Sequence, residues 1–389
     1  MYSDQFDPEK AVAYLHAQGM PGKEIARRLF PSLKDPSARV SVLLSKARGR
    51  FLRETFDESC VTRDELDAMR MHSSRDPYAE LQRRLSERSG GYLKDLRVFY
   101  SAPSAAKKNT WGAHIARFAD NCAWYTRGQL DHARTGIAVS WGATIFEVLE
   151  ALKRHQLPRG GDARRSFRPV VVIPTVGDPL GASRDVGGIS STKLAQELSS
   201  LLTGSSNGVP SLEGIRPVLP RSFSEEKRKT IWEYIELTKG YGEVFGSRDK
   251  EGASAGKLAT VDAILTGAGA FQSWMKWGSE VMVDAGVPVT ELKGFCVGDI
   301  GGYLLPLERI DRDSAAKARY DELTSLWTGI SLQHFKAVAD RAANGTAPGV
   351  LLCAIGANKA RVVHDLVVRF RAVNRLVVDQ HLVKALEVL

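Results

Sequence analysis

One stretch near the C-terminus limits the fold more than any other: Gly349-Val350-Leu351-Leu352-Cys353-Ala354-Ile355-Gly356-Ala357-Asn358-Lys359-Ala360. Its opening run is apolar throughout, which suits a strand covered on both faces. The run breaks at Gly356, and Lys359 stands where the next helix is expected to begin. Strand, glycine and helix in that order bring free backbone N–H groups and one positive charge to the carboxyl end of a strand. Sheets of the α/β class bind anionic ligands at that end.

Similar runs recur upstream. Candidate strands are Asp95–Tyr100, Gly136–Ser140, Val170–Pro174, Ala263–Thr266, Gly294–Val297, Gly349–Ile355 and Arg375–Asp379. Helical patterns fall between several of them, at Thr144–Lys153, Thr192–Leu202 and Lys359–Arg369. The alternation predicts an α/β domain with a mostly parallel, Rossmann-like sheet covered on both faces. At 389 residues the chain exceeds one typical core, so more than one domain is expected.

The first fifty residues read differently. Helices are expected over Pro8–Gln18, Lys23–Phe30 and from Pro36 onward, with Asp35 as the cap of the third and Pro36 in its first position. Val40, Leu43, Leu44 and Ala47 make one buried stripe at i, i+3, i+4, i+7. The opposite face presents Ala38, Val42, Ser45 and Lys46, flanked by Arg39 and Arg50. Residues 1–50 carry nine Lys/Arg against five Asp/Glu, and 37–50 hold four basic residues and no acidic one. A helix-turn-helix head fits this pattern. A small protein-binding or dimerisation unit fits it as well.

The domains expected are a head over 1–60, a charged helical linker over 61–91 and an α/β domain over 92–389. The whole chain is net +9, a mild excess that suits a polyanion partner or a solvated basic surface equally. Cys60, Cys122, Cys296 and Cys353 are scattered and form no CxxC pair, which fits a reducing, cytoplasmic setting better than a disulfide framework. No signal peptide, membrane-spanning run, metal motif or cofactor motif is read.

Taken in order, several motifs match a known pattern. They are Gly136-Ile137-Ala138-Val139-Ser140-Trp141-Gly142-Ala143-Thr144, Val172-Ile173-Pro174-Thr175-Val176-Gly177, Ala263-Ile264-Leu265-Thr266-Gly267-Ala268-Gly269, Val297-Gly298-Asp299-Ile300, and Gly356-Ala357-Asn358-Lys359-Ala360 with Val378-Asp379. The series resembles the sugar-binding domain of the SorC family of bacterial transcriptional regulators. Val40-Ser41-Val42-Leu43-Leu44 and Ala47-Arg48-Gly49 resemble that family's recognition helix. The resemblance covers about residues 8–50 and 93–389. It implies an effector domain like the sugar-phosphate isomerases, a double-stranded DNA operator, a phosphorylated sugar or sugar derivative as effector, a homo-oligomer (dimer or tetramer), and no enzymatic activity. Departures are Val42 where the family usually has arginine, Ala143 where a small polar residue is frequent, and Asp178 where a second glycine is common.

Each site residue has two readings. Amides at Gly142, Ala143 and Thr144, with the Thr144 hydroxyl, suit a phosphate dianion; the alternative is an ordinary turn with Thr144 as a cap. Lys359 opposes the dipole of its helix unless an anion lies between them; the alternative is a solvated lysine, and a third option is a Schiff-base nucleophile. Gly356 and Asn358 belong to the same turn. Asp299 can accept from sugar hydroxyls or form a turn. Gly177, Gly267 and Gly269 can admit a ligand close to the backbone or make tight turns. Arg184 and Lys193 suit a second phosphate or carboxylate, or are solvated surface; Asp379 and Gln380 are candidates for the rim. In the head, Arg39, Lys46, Arg48 and Arg50 suit DNA phosphates, while Ala38, Val42 and Ser45 face base edges. A sugar-phosphate isomerase or deaminase with an added module, or a scaffold on the same fold that binds no ligand, are the competing functions. His334, His364 and His381 lie on helical segments away from the glycine motifs.

Overall fold

A computed structural model describes residues 7–17, 20–33, 35–47, 78–101, 111–155, 170–178, 190–246, 255–271 and 277–389, without the side chains of 277–280. Arg48, Arg50, Cys60 and Arg184 lie outside the described residues, as does the linker expectation over 61–77.

Three short helices form the head: α1 (Pro8–Ala17), α2 (Gly22–Leu29) and α3 (Pro36–Ala47). Their apolar faces meet through Val12, Leu15, Ile25, Leu29, Val40 and Leu43. Asp35 accepts from the Ala38 amide at 3.0 Å, so it caps α3 as its position predicts. Val40, Leu43 and Ala47 of the expected stripe are buried, and Leu44 is half-buried at its margin.

Helix α4 (Ala79–Arg88) falls in the stretch expected to be linker, yet it sets Leu81 and Leu85 into the core of the sheet domain. From there the chain alternates as expected. Six strands pair in parallel in the order β1 (Asp95–Phe99), β9 (Arg375–Asp379), β8 (Gly349–Ala354), β4 (Ala263–Thr266), β2 (Gly136–Val139), β3 (Val171–Pro174). Both faces are covered. Leu352, Ala354, Leu376 and Val378 point to one apolar layer, and Leu351, Cys353, Ile355 and Val377 to the other. Strands buried on both sides read as continuous apolar runs, which is why β8 is conspicuous in the sequence.

The order of strands locates a crevice. After β2 the chain steps outward to β3, then returns to β4 on the opposite side of β2. Ligands in open α/β sheets sit at the carboxyl ends of strands where the winding reverses in this way.

A second, antiparallel sheet joins β5 (Ala268–Ala270), β6 (Cys296–Ile300) and β7 (Tyr303–Pro306). It corrects the expectation of a strand over Gly294–Val297. Gly294 closes α11 (Val289–Phe295), and the strand starts at Cys296. β6 therefore forms a hairpin beside the parallel sheet rather than a strand within it.

Asn374 fastens the amino ends of the central strands. Fully buried, it accepts from the Val350 amide (2.9 Å) and donates to the carbonyls of Tyr92 (3.2 Å) and Ala339 (3.1 Å). Asn374→Ala strands one buried donor, one buried acceptor and one part-buried acceptor. A loss of about 2–4 kcal/mol is expected in urea unfolding; a loss below about 1 kcal/mol contradicts the role.

Candidate functional site

The crevice is built at the carboxyl ends of β2, β4 and β8. On its first wall, α6 (Ala143–Arg154) starts directly after β2, with Gly142 as its N-cap. A glycine brings no capping oxygen, and Gly142 at φ 129° has open space where a Cβ would stand. Among the described residues no protein acceptor meets the amides of Ala143, Thr144 or Ile145; the first bonded amide is Phe146, to the Gly142 carbonyl. Thr144 is buried at the second helical position and does not cap the helix. The first turn of α6 thus leaves three amides without a protein acceptor, a geometry that suits an anion.

Beneath this turn, Ser140 donates to the Thr266 hydroxyl at 2.9 Å, which ties β2 to β4. Trp141 donates from Nε1 to the Gly301 carbonyl at 3.1 Å, and the Gly301 amide reaches the Gly267 carbonyl at 3.1 Å. These bonds hold the β6–β7 hairpin against the crevice. Trp327 packs against Trp141 behind it, with ring centroids 6.1 Å apart.

The opposite wall is the turn after β8. Gly356 adopts φ 97°, a left-handed conformation that favours glycine. Its amide donates to Asp379 Oδ1 at 3.0 Å, and the same oxygen caps α15 (Gln380–Leu386) through the Leu382 amide at 2.9 Å. A 3-10 turn (Ala357–Lys359) follows, leading into α14 (Ala360–His364).

Lys359 is 5% exposed. Among the described residues its ammonium has no hydrogen bond and no ion pair within 4 Å. Burial pulls its pKa down to about 8, against the attraction of Asp299 and Asp379. Asp299, 7% exposed, faces the same space from β6. Burial pushes its pKa up to about 6, while the Gly302 amide (3.0 Å) and Lys359 draw it down. Desolvation dominates for both groups. A buried acid and a buried base are held within each other's field but not joined, an arrangement that is costly unless something charged or hydroxylated completes it.

The structure brings together Gly142, Ala143, Thr144, Gly267, Asp299, Gly356, Asn358 and Lys359 at the carboxyl edge. Two expected residues have other work. A Cβ on Gly269 would lie 2.0 Å from Asp299 Oδ2, so that glycine makes room for the carboxylate. A Cβ on Gly177 would lie 2.0 Å from the Ile215 carbonyl, so a crossing segment covers it. Asp379 and Gln380 are buried beneath the rim, and Lys193 is exposed on α7 (Ser191–Thr203). His334 bonds Ser331 (2.8 Å) at the start of α13 (Leu332–Ala343), and His364 pairs with Asp365. One rim residue escapes the sequence motifs: Trp111, which opens α5 (Trp111–Leu130), is 53% exposed and its ring overhangs Gly356. An exposed tryptophan beside a glycine turn is the only signal, and sequence alone does not join them.

On the head, Ala38, Arg39, Val42, Ser45 and Lys46 are all exposed on one side of α3. Val42, at 48%, is a large apolar side chain left in solvent. Basic residues around an apolar contact suit the phosphates and thymine methyls of a DNA groove.

No protein-family model matches this chain, and no curated protein does. Solved structures do. The full-length sorbitol operon regulator SorC from Klebsiella pneumoniae is 16% identical, with 99% of each chain covered and a TM-score of 0.55. A probable sor operon regulator from Shigella flexneri is 16% identical over 80% of this chain and 99% of its own, at 0.52. A DeoR family transcriptional regulator from Listeria monocytogenes is 17% identical over 80% and 99%, at 0.51. At these identities the likeness is one of fold: a helical head joined to a mostly parallel α/β domain.

Lys359→Met removes a buried, unpaired ammonium. The unliganded variant is expected to be more stable than the parent at pH 7, by roughly 1–3 kcal/mol on a shift of this size. The sign is fixed by linkage. Between about 8 and the ordinary 10.5, the unfolded chain holds a proton that folded Lys359 has lost, so parental stability rises with pH in that window. The variant lacks that rise. Chemical denaturation at pH 7 and across pH 8–10 reads both effects, and a destabilised variant with an unchanged profile contradicts the assignment.

Proposed function

We propose that this protein is a DNA-binding transcriptional regulator controlled by a phosphorylated sugar or sugar derivative. The observation that carries the reading is the unpaired ammonium of Lys359, buried in the crevice where the first turn of α6 offers free amides. A phosphate dianion suits both, and sugar hydroxyls suit Asp299, Thr266 and the rim at Trp111. The head over residues 1–60 reads DNA through α3, and the domain over 92–389 holds the effector. Arg39 and Lys46, with Arg48 and Arg50, contact phosphates; Ala38, Val42 and Ser45 face the bases. Heads of this kind work in pairs on repeated half-sites, so a homo-oligomer is part of the proposal.

The reading also draws support from the solved structures of similar fold, which are operon and transcriptional regulators. No helix among the described residues is long and apolar enough to cross a membrane. No group of His, Cys, Asp and Glu among them is placed to hold a metal ion.

Thermal shift of the purified chain against a panel of sugars and sugar phosphates tests the effector half. Excess ligand stabilises a native binder. A phosphorylated member is expected to raise the melting temperature of the parent and to leave Lys359→Met unmoved. An equal shift in both proteins rejects the site. For the DNA half, Arg39→Ala with Lys46→Ala is expected to weaken binding to every sequence and to reduce the salt slope by about two. An unchanged slope removes α3 from the interface.

A further inference from the structure

Tyr100 follows β1 at the carboxyl edge of the parallel sheet. Among the described residues it is the one side chain from outside the head that packs into the head's apolar cluster. Glu24, Arg27 and Arg28 of α2 are its charged neighbours there, and burial holds the phenol protonated well above its usual range. Among the described residues this ring is the apolar contact between the head and the sheet domain. Interfaces between domains within one chain are commonly remade.

The next residue reaches the other way. Ser101 donates its hydroxyl to Asp379 Oδ2 at 2.9 Å, and its amide to Gln380 Oε1 at 2.9 Å. Asp379 holds the Gly356 amide with its second oxygen. The backbone between is pinned where Asn121 donates to the Tyr100 carbonyl at 2.7 Å. Two consecutive residues therefore join the head to the carboxylate that anchors the Gly356–Lys359 turn.

We propose that Tyr100 and Ser101 form a strap that transmits the state of the Gly356–Lys359 turn to the DNA-binding head. The proposal rests on the regulator reading above. An anion drawn to Lys359 and the neighbouring amides shifts the turn, and Asp379 follows because it holds the Gly356 amide. Ser101 moves with that carboxylate, and the Tyr100 ring changes its seat on α2. The exposed face of α3 stays uncovered by this contact, so the strap sets how the head is oriented rather than whether DNA can reach it. Orientation matters because paired heads must match half-site spacing. A two-state coupling of this kind needs only a difference in effector affinity between the two seats.

The full chain carries the test, with one dye on the head and one on the sheet domain for energy transfer, and DNA chosen from a random pool. Inorganic phosphate is the anion probe. In the parent, phosphate is expected to change both energy transfer and DNA affinity. Tyr100→Ala is expected to lower energy transfer before any ligand is added, to change DNA affinity about fivefold or more, and to erase the phosphate effect. Tyr100→Phe keeps the ring and should match the parent, since no bond from the hydroxyl to the described residues holds the contact. Ser101→Ala keeps the head docked but should lose the phosphate response. Melting curves confirm that each variant is folded. Unchanged energy transfer in Tyr100→Ala overturns the strap. A parent that ignores phosphate, or a Ser101→Ala protein that still responds, overturns its link to the turn. If the parent binds no DNA, the regulator reading falls, and energy transfer still decides whether Tyr100 docks the head.

Discussion

Everything at the carboxyl edge depends on two buried charges that are kept apart. Lys359 and Asp299 sit deep enough for desolvation to push each toward its neutral form, yet no ion pair within 4 Å joins them. A fold under pressure for stability alone replaces such a pair with apolar side chains or closes it into a salt bridge. The surrounding structure instead holds it open. The Asp379 carboxylate fixes the turn that carries Lys359, and the Trp141–Gly301 and Gly301–Gly267 bonds fix the hairpin that carries Asp299.

That arrangement needs the winding of the sheet. Because β4 returns beside β2 while β3 lies outside it, α6 opens next to the strands that deliver Gly267 and Lys359. One edge thus gathers a positive helix end, a buried ammonium and a buried carboxylate acceptor. An anion with hydroxyl groups satisfies all three, whereas a simple apolar ligand satisfies none. The head touches the same edge through Tyr100, so the Gly356–Lys359 turn and the head are separated by few bonds.

Much of this was legible in the sequence, for physical reasons that differ by residue. β8 and β9 stand out because a strand buried on both faces has no polar alternation. Asp35-Pro36 marks the start of α3 because cap and first-turn chemistry are local. Lys359 stands out because a cation at a helix start is unfavourable without an anion. Other features depend on partners far along the chain. The roles of Gly269 and Gly177 become visible only when Asp299 and Ile215 are seen against them. α5 is faint because Ile115, Phe118 and Leu130 of its buried stripe are separated by the small or polar Ala119, Asn121, Cys122, Ala123 and Thr126. The β5–β6–β7 sheet is built from short strands, the first of them only Ala268-Gly269-Ala270, and Gly294-Phe295 reads as strand until α11 is seen to close there. Trp111 and Tyr100 belong to no motif, and only the fold places them beside Gly356 and α2.

The most direct measurement is the titration of Lys359 itself, by NMR of the labelled side chain, with and without a sugar phosphate that raises the melting temperature. Without ligand, an ammonium that titrates near 8 is expected, and bound anion should drive that value upward. A Lys359 that titrates at the ordinary 10.5 in both states would mean a solvated or already neutralised side chain, and would contradict the site.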